Sequence, residues 1–157
     1  METANTNPYR APESDVGALE LGVGITNFER FSAWGVFALS IITLGIYPIY
    51  WLYSRSNTLN SFHSNKISPV LLMAFVALVF ASFVIGIINP QEGVMLVLGG
   101  VVNLAYTIAY LMVLFSVRNR LNELVNDGIS PIITFFGSAI YLQYSINKCI
   151  DQQKTLV

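Results

Sequence analysis

Histidine and cysteine each occur once in this 157-residue chain, as His63 and Cys149, and only 11% of the residues are charged. A lone cysteine excludes an intramolecular disulfide, and a lone histidine excludes a histidine-based metal cluster. Eight basic and nine acidic residues give a net charge of −1 with no basic tract, so there is no footprint for nucleic acid. The scarcity of charge is also uneven. Asp, Glu, Lys and Arg are missing from residues 31–54, 67–91, 93–117 and 128–147, and no histidine falls in them. A proton-coupled transporter normally carries a titratable relay inside such segments, and none is visible. A secretory signal is not evident either. Residues 1–30 are polar, Glu2 follows Met1, and the first apolar run starts near Phe31, so the first helix is expected to direct insertion itself and to be retained.

Hydrophobic residues make up 54% of the chain. A helix rises 1.5 Å per residue, so roughly 20 apolar residues cross a hydrocarbon core of about 30 Å, and each charge-free window is long enough. A soluble helical domain would keep a charged face for water, whereas Pro69 to Ile88 and Val94 to Val117 have none. The expected fold is therefore an all-α membrane protein, a four-helix transmembrane bundle with segments at about 32–53, 69–88, 90–117 and 131–147. Residues 1–30 read as a flexible polar N-terminal arm, 31–150 as the helical domain and 151–157 as a C-terminal tail. Thr43, Gly45 and Pro48 interrupt the first segment, and Pro48 lacks a donor and clashes with the preceding turn. A kink or break near Leu44 to Tyr47 is expected, and a kinked spanning helix is preferred over a shorter inserted helix followed by an interfacial one from Pro48.

The other three segments carry start signals. Ser68-Pro69, Asn89-Pro90 and Ser130-Pro131 each place a capping side chain before a proline at the first helical position, with Glu92 placed to reciprocate the Asn89 cap. The turn from Ile88 to Glu92 makes the second and third helices a tight hairpin. Asn57, Leu59, Asn60, Ile67, Ser68 and Pro69 recur 62 residues later as Asn119, Leu121, Asn122, Ile129, Ser130 and Pro131. If this reflects duplication, the bundle is two repeated helical hairpins with both repeated loops on one face; independent use of amides and Ser-Pro caps is the alternative. Basic residues in these loops, Arg55, Lys66, Arg118 and Arg120, favour a cytoplasmic placement for them. Both termini then lie outside if four segments cross, whereas an incompletely crossing first segment permits a cytoplasmic N-terminus.

No catalytic constellation is present, and no cofactor or metal is implied. Glu92, Glu123 and Asp127 read as surface and cap carboxylates, with a weak ion site at His63, Glu123 and Asp127 as the minor alternative. Cys149 reads as a packing residue. Asn103, Thr107 and Gln143 are the polar groups expected to hydrogen-bond between helices, because unsatisfied amides are costly in hydrocarbon; lining a pore is the alternative. Tyr50, Tyr53, Arg55, Arg118 and Arg120 are the candidates for contact with lipid headgroups or a partner, since tyrosine and arginine suit an interface.

Leu39-Ser40-Ile41-Ile42-Thr43-Leu44-Gly45-Ile46-Tyr47-Pro48-Ile49-Tyr50-Trp51-Leu52-Tyr53 closely resembles the signature of the bacterial domain-of-unknown-function 4234 family, and with the helix pattern the resemblance covers about residues 30–147. Asn7-Pro8-Tyr9-Arg10-Ala11-Pro12 is similar to a short N-terminal motif of several bacterial membrane proteins. The resemblance implies a multi-pass bacterial inner-membrane protein of uncharacterised activity and transfers no catalytic residues. Some relatives carry a metal-binding ribbon before the first helix, which implies a cytoplasmic N-terminus; this chain lacks the cysteines for one. The expected function is a noncatalytic membrane module that binds lipid or a partner protein, as a homo-oligomer or with another membrane protein. An oligomeric channel or small-molecule transporter is the alternative, and a membrane enzyme ranks third.

Overall fold

The computed structural model describes residues 24–89, 92–125 and 128–155. Among them the protein is all-helical. A 3-10 turn at Ile25–Asn27 precedes α1 (Ala33–Ile42), α2 (Ile46–Phe62), α3 (Pro69–Ile88), α4 (Gly93–Asn122) and α5 (Pro131–Thr155). Only α3 and α4 are long and apolar enough to cross a membrane, and in each only 11% of the most apolar stretch is buried. The proposed arm begins outside the described residues, but its last part is packed: Ile25 and Phe28 are buried, with Phe28 edge-on to Phe62 at 5.8 Å.

α3 and α4 form the expected antiparallel hairpin. Phe75 stacks on Tyr106 at 6.4 Å, and the Ser82 hydroxyl donates to Asn103 Oδ1 at 2.6 Å. A Cβ added to Gly99 would lie 3.0 Å from Ile85, so glycine permits the close approach of the two helices there. Ser68 caps α3 as expected, its Oγ accepting from Leu71 N. Asn89 does something different: it ends α3 in a left-handed conformation (φ 46) rather than capping α4. Asparagine tolerates that region better than most residues. α4 begins four residues later, behind Glu92, which makes no side-chain cap bond.

The first and fourth expected segments are not continuous helices. α1 has ten residues, about 15 Å of helix, half of what a crossing needs. It ends at a turn in which Leu44 (φ 51) and Gly45 (φ 89) are both left-handed. The Thr43 hydroxyl joins the two helices, donating to Leu39 O at 2.6 Å and accepting from Tyr47 N at 2.9 Å. Pro48 then falls in the first turn of α2, where a missing N–H leaves no bond unmade, so the break lies just before the proline. In α5 the break is at Ser138 (φ 46, ψ −133), inside the stretch expected as one helix.

Both broken elements return to the end they started from. Gly24 lies against the Phe62 ring and Leu124, so the entry to α1 sits beside the exit of α2. Ile129 N donates to Asn122 Oδ1 at 2.6 Å, and Cys149 Sγ donates to Leu124 O at 3.8 Å. Residues 129 and 149 therefore both lie beside the C-terminal end of α4, one on Asn122 and the other on Leu124 just beyond it, whereas a straight helix over Pro131 to Cys149 would separate its ends by about 27 Å. The core fills this end of the molecule, where Trp51, Leu52, Leu59, Leu114, Val117, Leu121, Leu142 and Ile146 are buried.

The conformation at Gly45 is one that L side chains adopt at a cost. Gly45→Val is expected to lower stability by about 1–2 kcal/mol, read as a reduced thermal midpoint in detergent. Gly86→Ala, within a helix and with open space around it, is expected to leave the midpoint unchanged or raise it.

Candidate functional site

The two repeated loops gather polar groups at the packed end. In the first repeated loop, the Asn60 amide clasps both backbone groups of Ile67: Nδ2 donates to the carbonyl at 2.9 Å and Oδ1 accepts from the N–H at 2.7 Å. In the second, Asn122 Oδ1 accepts from Ile129 N, while Arg118 Nε donates to Ile129 O at 2.8 Å. Leu59, Leu121, Ile67 and Ile129 are all buried, and Ser130 Oγ accepts from Ile133 N as Ser68 Oγ does from Leu71 N. The repeated residues thus hold equivalent backbone positions, with one substitution: an arginine takes the carbonyl that an amide takes in the first copy.

The two loops also meet. Arg120 Nε donates to Asn65 O at 2.7 Å, and its Nη2 donates to Asn65 Oδ1 at 2.9 Å. Glu123 lies 3.1 Å from His63 Nε2 and 3.5 Å from Arg120 Nη1. His63 Nδ1 accepts from Asn65 N, so in the neutral ring Nε2 carries the proton and faces Glu123. Asp127, the third member of the ion site considered from sequence, lies outside the described residues. No group of three metal-capable side chains occurs among the described ones.

Beside the loops lies a buried network centred on Gln143, which is fully buried. Its Oε1 accepts from Trp51 Nε1 at 2.8 Å and from Arg55 Nη2 at 3.4 Å, and its Nε2 donates to Asn147 Oδ1 at 3.0 Å. Asn147 Nδ2 in turn donates to Phe31 O at 2.6 Å. The half-buried Arg55 guanidinium lies 5.7 Å from the Phe28 ring centre and 5.8 Å from that of Trp51, within cation–π range. Burial pushes its pKa below the ordinary arginine value, opposed by the negative potential of Tyr47, Glu29 and Tyr50; it stays charged. Arg55 Nε and Ser56 Oγ are buried with no hydrogen bond among the described residues.

The sequence candidates thus fall into separate groups. Tyr50 and Tyr53 are exposed. Arg55 is committed to the Gln143 network, while Arg118 and Arg120 are committed to loop carbonyls. Asn103 and Thr107 are exposed on α4, Thr107 donating to Asn103 O at 2.9 Å. Cys149 is buried in the core. Two elements escaped the sequence reading. One is Asn147, whose spacing four residues from Gln143 was the available signal. The other is the tether between Arg30 and Asp151, with Nε to Oδ1 at 2.9 Å and Nη2 to Oδ2 at 3.0 Å. Hydrogen bonding to Arg30 holds the Asp151 carboxyl below the usual carboxylate range. The pair therefore contributes above that range and is lost only as pH falls through the lowered value. A shallow cleft of about 590 Å³ opens beside it, lined by Trp34, Tyr144 and Lys148 among others.

A family described as a domain of unknown function, DUF4234, matches residues 31–152. The chain belongs to that family. The matched region contains both broken elements, the two-helix hairpin and both clasped loops. No curated protein and no solved structure shows a significant match to this DUF4234 chain.

Removing the Gln143 amide while keeping its volume leaves Trp51 Nε1 and the Asn147 side chain short of partners. Gln143→Leu is expected to destabilise the protein by about 2 kcal/mol, measured by denaturant titration in micelles, and Thr107→Val, at an exposed site, by much less.

Proposed function

We propose that this DUF4234 protein is a noncatalytic integral membrane module, crossing the bilayer twice and presenting a polar end to lipid headgroups or a partner protein. One observation carries the reading: the most apolar stretches of α3 and α4 carry no charged residue and only 11% of each is buried, a surface that hydrocarbon accommodates and water does not. The 20 residues of α3 match the thickness of a bilayer core. α4, with 30 residues, extends beyond it and carries Arg118 and Arg120 in the projecting part.

In this reading α1 with α2, and the two parts of α5, enter one leaflet and return. Their exposed apolar tips at Ile42, Leu44 and Ile46, and at Phe135 and Phe136, sit in the acyl region. Trp34, Tyr50, Tyr53 and Tyr144, all exposed, form an aromatic belt at headgroup level. The described chain begins and ends on the loop face, and the basic residues of the loops favour the cytoplasmic side of a bacterial inner membrane for it. The enclosure of Gln143 by Trp51, Arg55 and Asn147 supports packing rather than pore lining for that residue.

Two measurements test the reading. Carbonate extraction is expected to leave the protein in the membrane fraction, and a protease-accessible tag after Val157 is expected on the same side as one inserted at Ser64; opposite sides would overturn the two-crossing arrangement. Native mass spectrometry from mild detergent is expected to retain phospholipid or a stoichiometric partner, with retention reduced in Tyr50→Ala/Tyr53→Ala. A bare monomer would overturn the binding role.

A further inference from the structure

Leu96, Gly100, Asn103 and Thr107 follow one another at steps of four, three and four residues and so share one face of α4. All four are exposed, in the half of the hairpin that lies away from the packed core. Asn103 is the anomaly on this face. Its Oδ1 accepts from Ser82, but its two Nδ2 protons have no acceptor among the described residues, although exposed Leu96 lies two turns before it on the same face and exposed Leu104 adjoins it. Thr107 spends its hydroxyl proton on Asn103 O and so presents oxygen lone pairs outward. Gly100, one turn away, has open space where a Cβ would stand.

We propose that this face of α4 is the contact between two copies of the chain, related by a two-fold axis that passes near Asn103. The proposal rests on the membrane placement above, because an amide donor facing water needs no partner, whereas one facing acyl chains does. A second copy is the occupant the chemistry selects. An amide donates and accepts, so Asn103 is complementary to its own symmetry mate or to the mate's Thr107 oxygen, as an isologous contact requires. A phospholipid presents hydrocarbon at this depth and supplies no acceptor. Gly100 lets the partner helix come within reach of the amide, and exposed Leu96 and Leu104 supply dispersion contact of the kind that drives helix association in lipid. The surface is distinct from the polar end, which stays available to headgroups or a partner in each copy.

Copies fused separately to donor and acceptor fluorophores, reconstituted together in phosphatidylethanolamine–phosphatidylglycerol vesicles, provide the test as added lipid dilutes them. Energy transfer is expected to saturate at a stoichiometry of two. Asn103→Leu is expected to weaken association about three- to tenfold, and Asn103→Gln is expected to recover part of the loss. Because Asn103→Leu also removes the bond to Ser82, Gly100→Leu serves as the second variant. It adds bulk where the isolated chain has room, so the thermal midpoint is expected to hold while transfer falls to the level of random proximity. Transfer at the random level in the wild type, or saturable transfer that neither Asn103→Leu nor Gly100→Leu alters, would overturn the proposal. Carbonate resistance in the same samples would leave the membrane reading standing in that event, while release by carbonate would sink both.

Discussion

A backbone N–H or carbonyl released from a helix must find another partner wherever water is scarce, and the architecture of this chain follows from how that demand is met. Each departure from helical geometry is answered by a specific side chain. Thr43 bridges the break between α1 and α2. Asn60 takes both groups of Ile67, and Asn122 with Arg118 takes those of Ile129. The Tyr141 hydroxyl accepts from Ser130 N, Asn147 donates to Phe31 O, and Arg120 donates to Asn65 O. The polar residues of an otherwise apolar chain are thus concentrated where the chain turns, and they explain why it can turn so often.

That same use of side chains shapes what the polar end offers chemically. Arginine is the residue best suited to gripping a phosphate, yet Arg118 and Arg120 spend their donors on carbonyls, and Arg55 lies half-buried against aromatic rings. Their positive charge remains and sets the electrostatic character of the face, while their directional hydrogen bonds are internal. Charge whose donors are largely turned inward favours diffuse attraction to an anionic surface over a tight, stereospecific anion pocket.

The helical class, the hairpin of α3 with α4 and the limits of α3 were legible because they depend on local signals: unbroken apolar runs, a Ser-Pro start and a tight turn. The loop repeat was legible too, and it pointed to Asn60 and Asn122, residues whose roles became clear only with the backbone in place. What was not legible depends on distant contacts. The Gly137-Ser138 pair was the one local sign of a break, but a reversal there also depends on packing against α4 and on the bond between Ser138 and Tyr110. Trp51 and Gln143 are 92 positions apart in sequence, a separation at which one sequence carries no pairing information. The break expected near Leu44 to Tyr47 is found there, carried by left-handed Leu44 and Gly45, but it is a reversal rather than the kink in a spanning helix that was preferred, and Pro48 falls where it does no harm.

The ion pair between Arg30 and Asp151 brings together two points that lie just outside and just inside the limits of the family region, residues 31–152. A unit whose entry and exit are adjacent behaves mechanically like a closed loop with a single point of attachment. Additional sequence can be appended before or after it, or the whole unit inserted into another chain, without prising its helices apart.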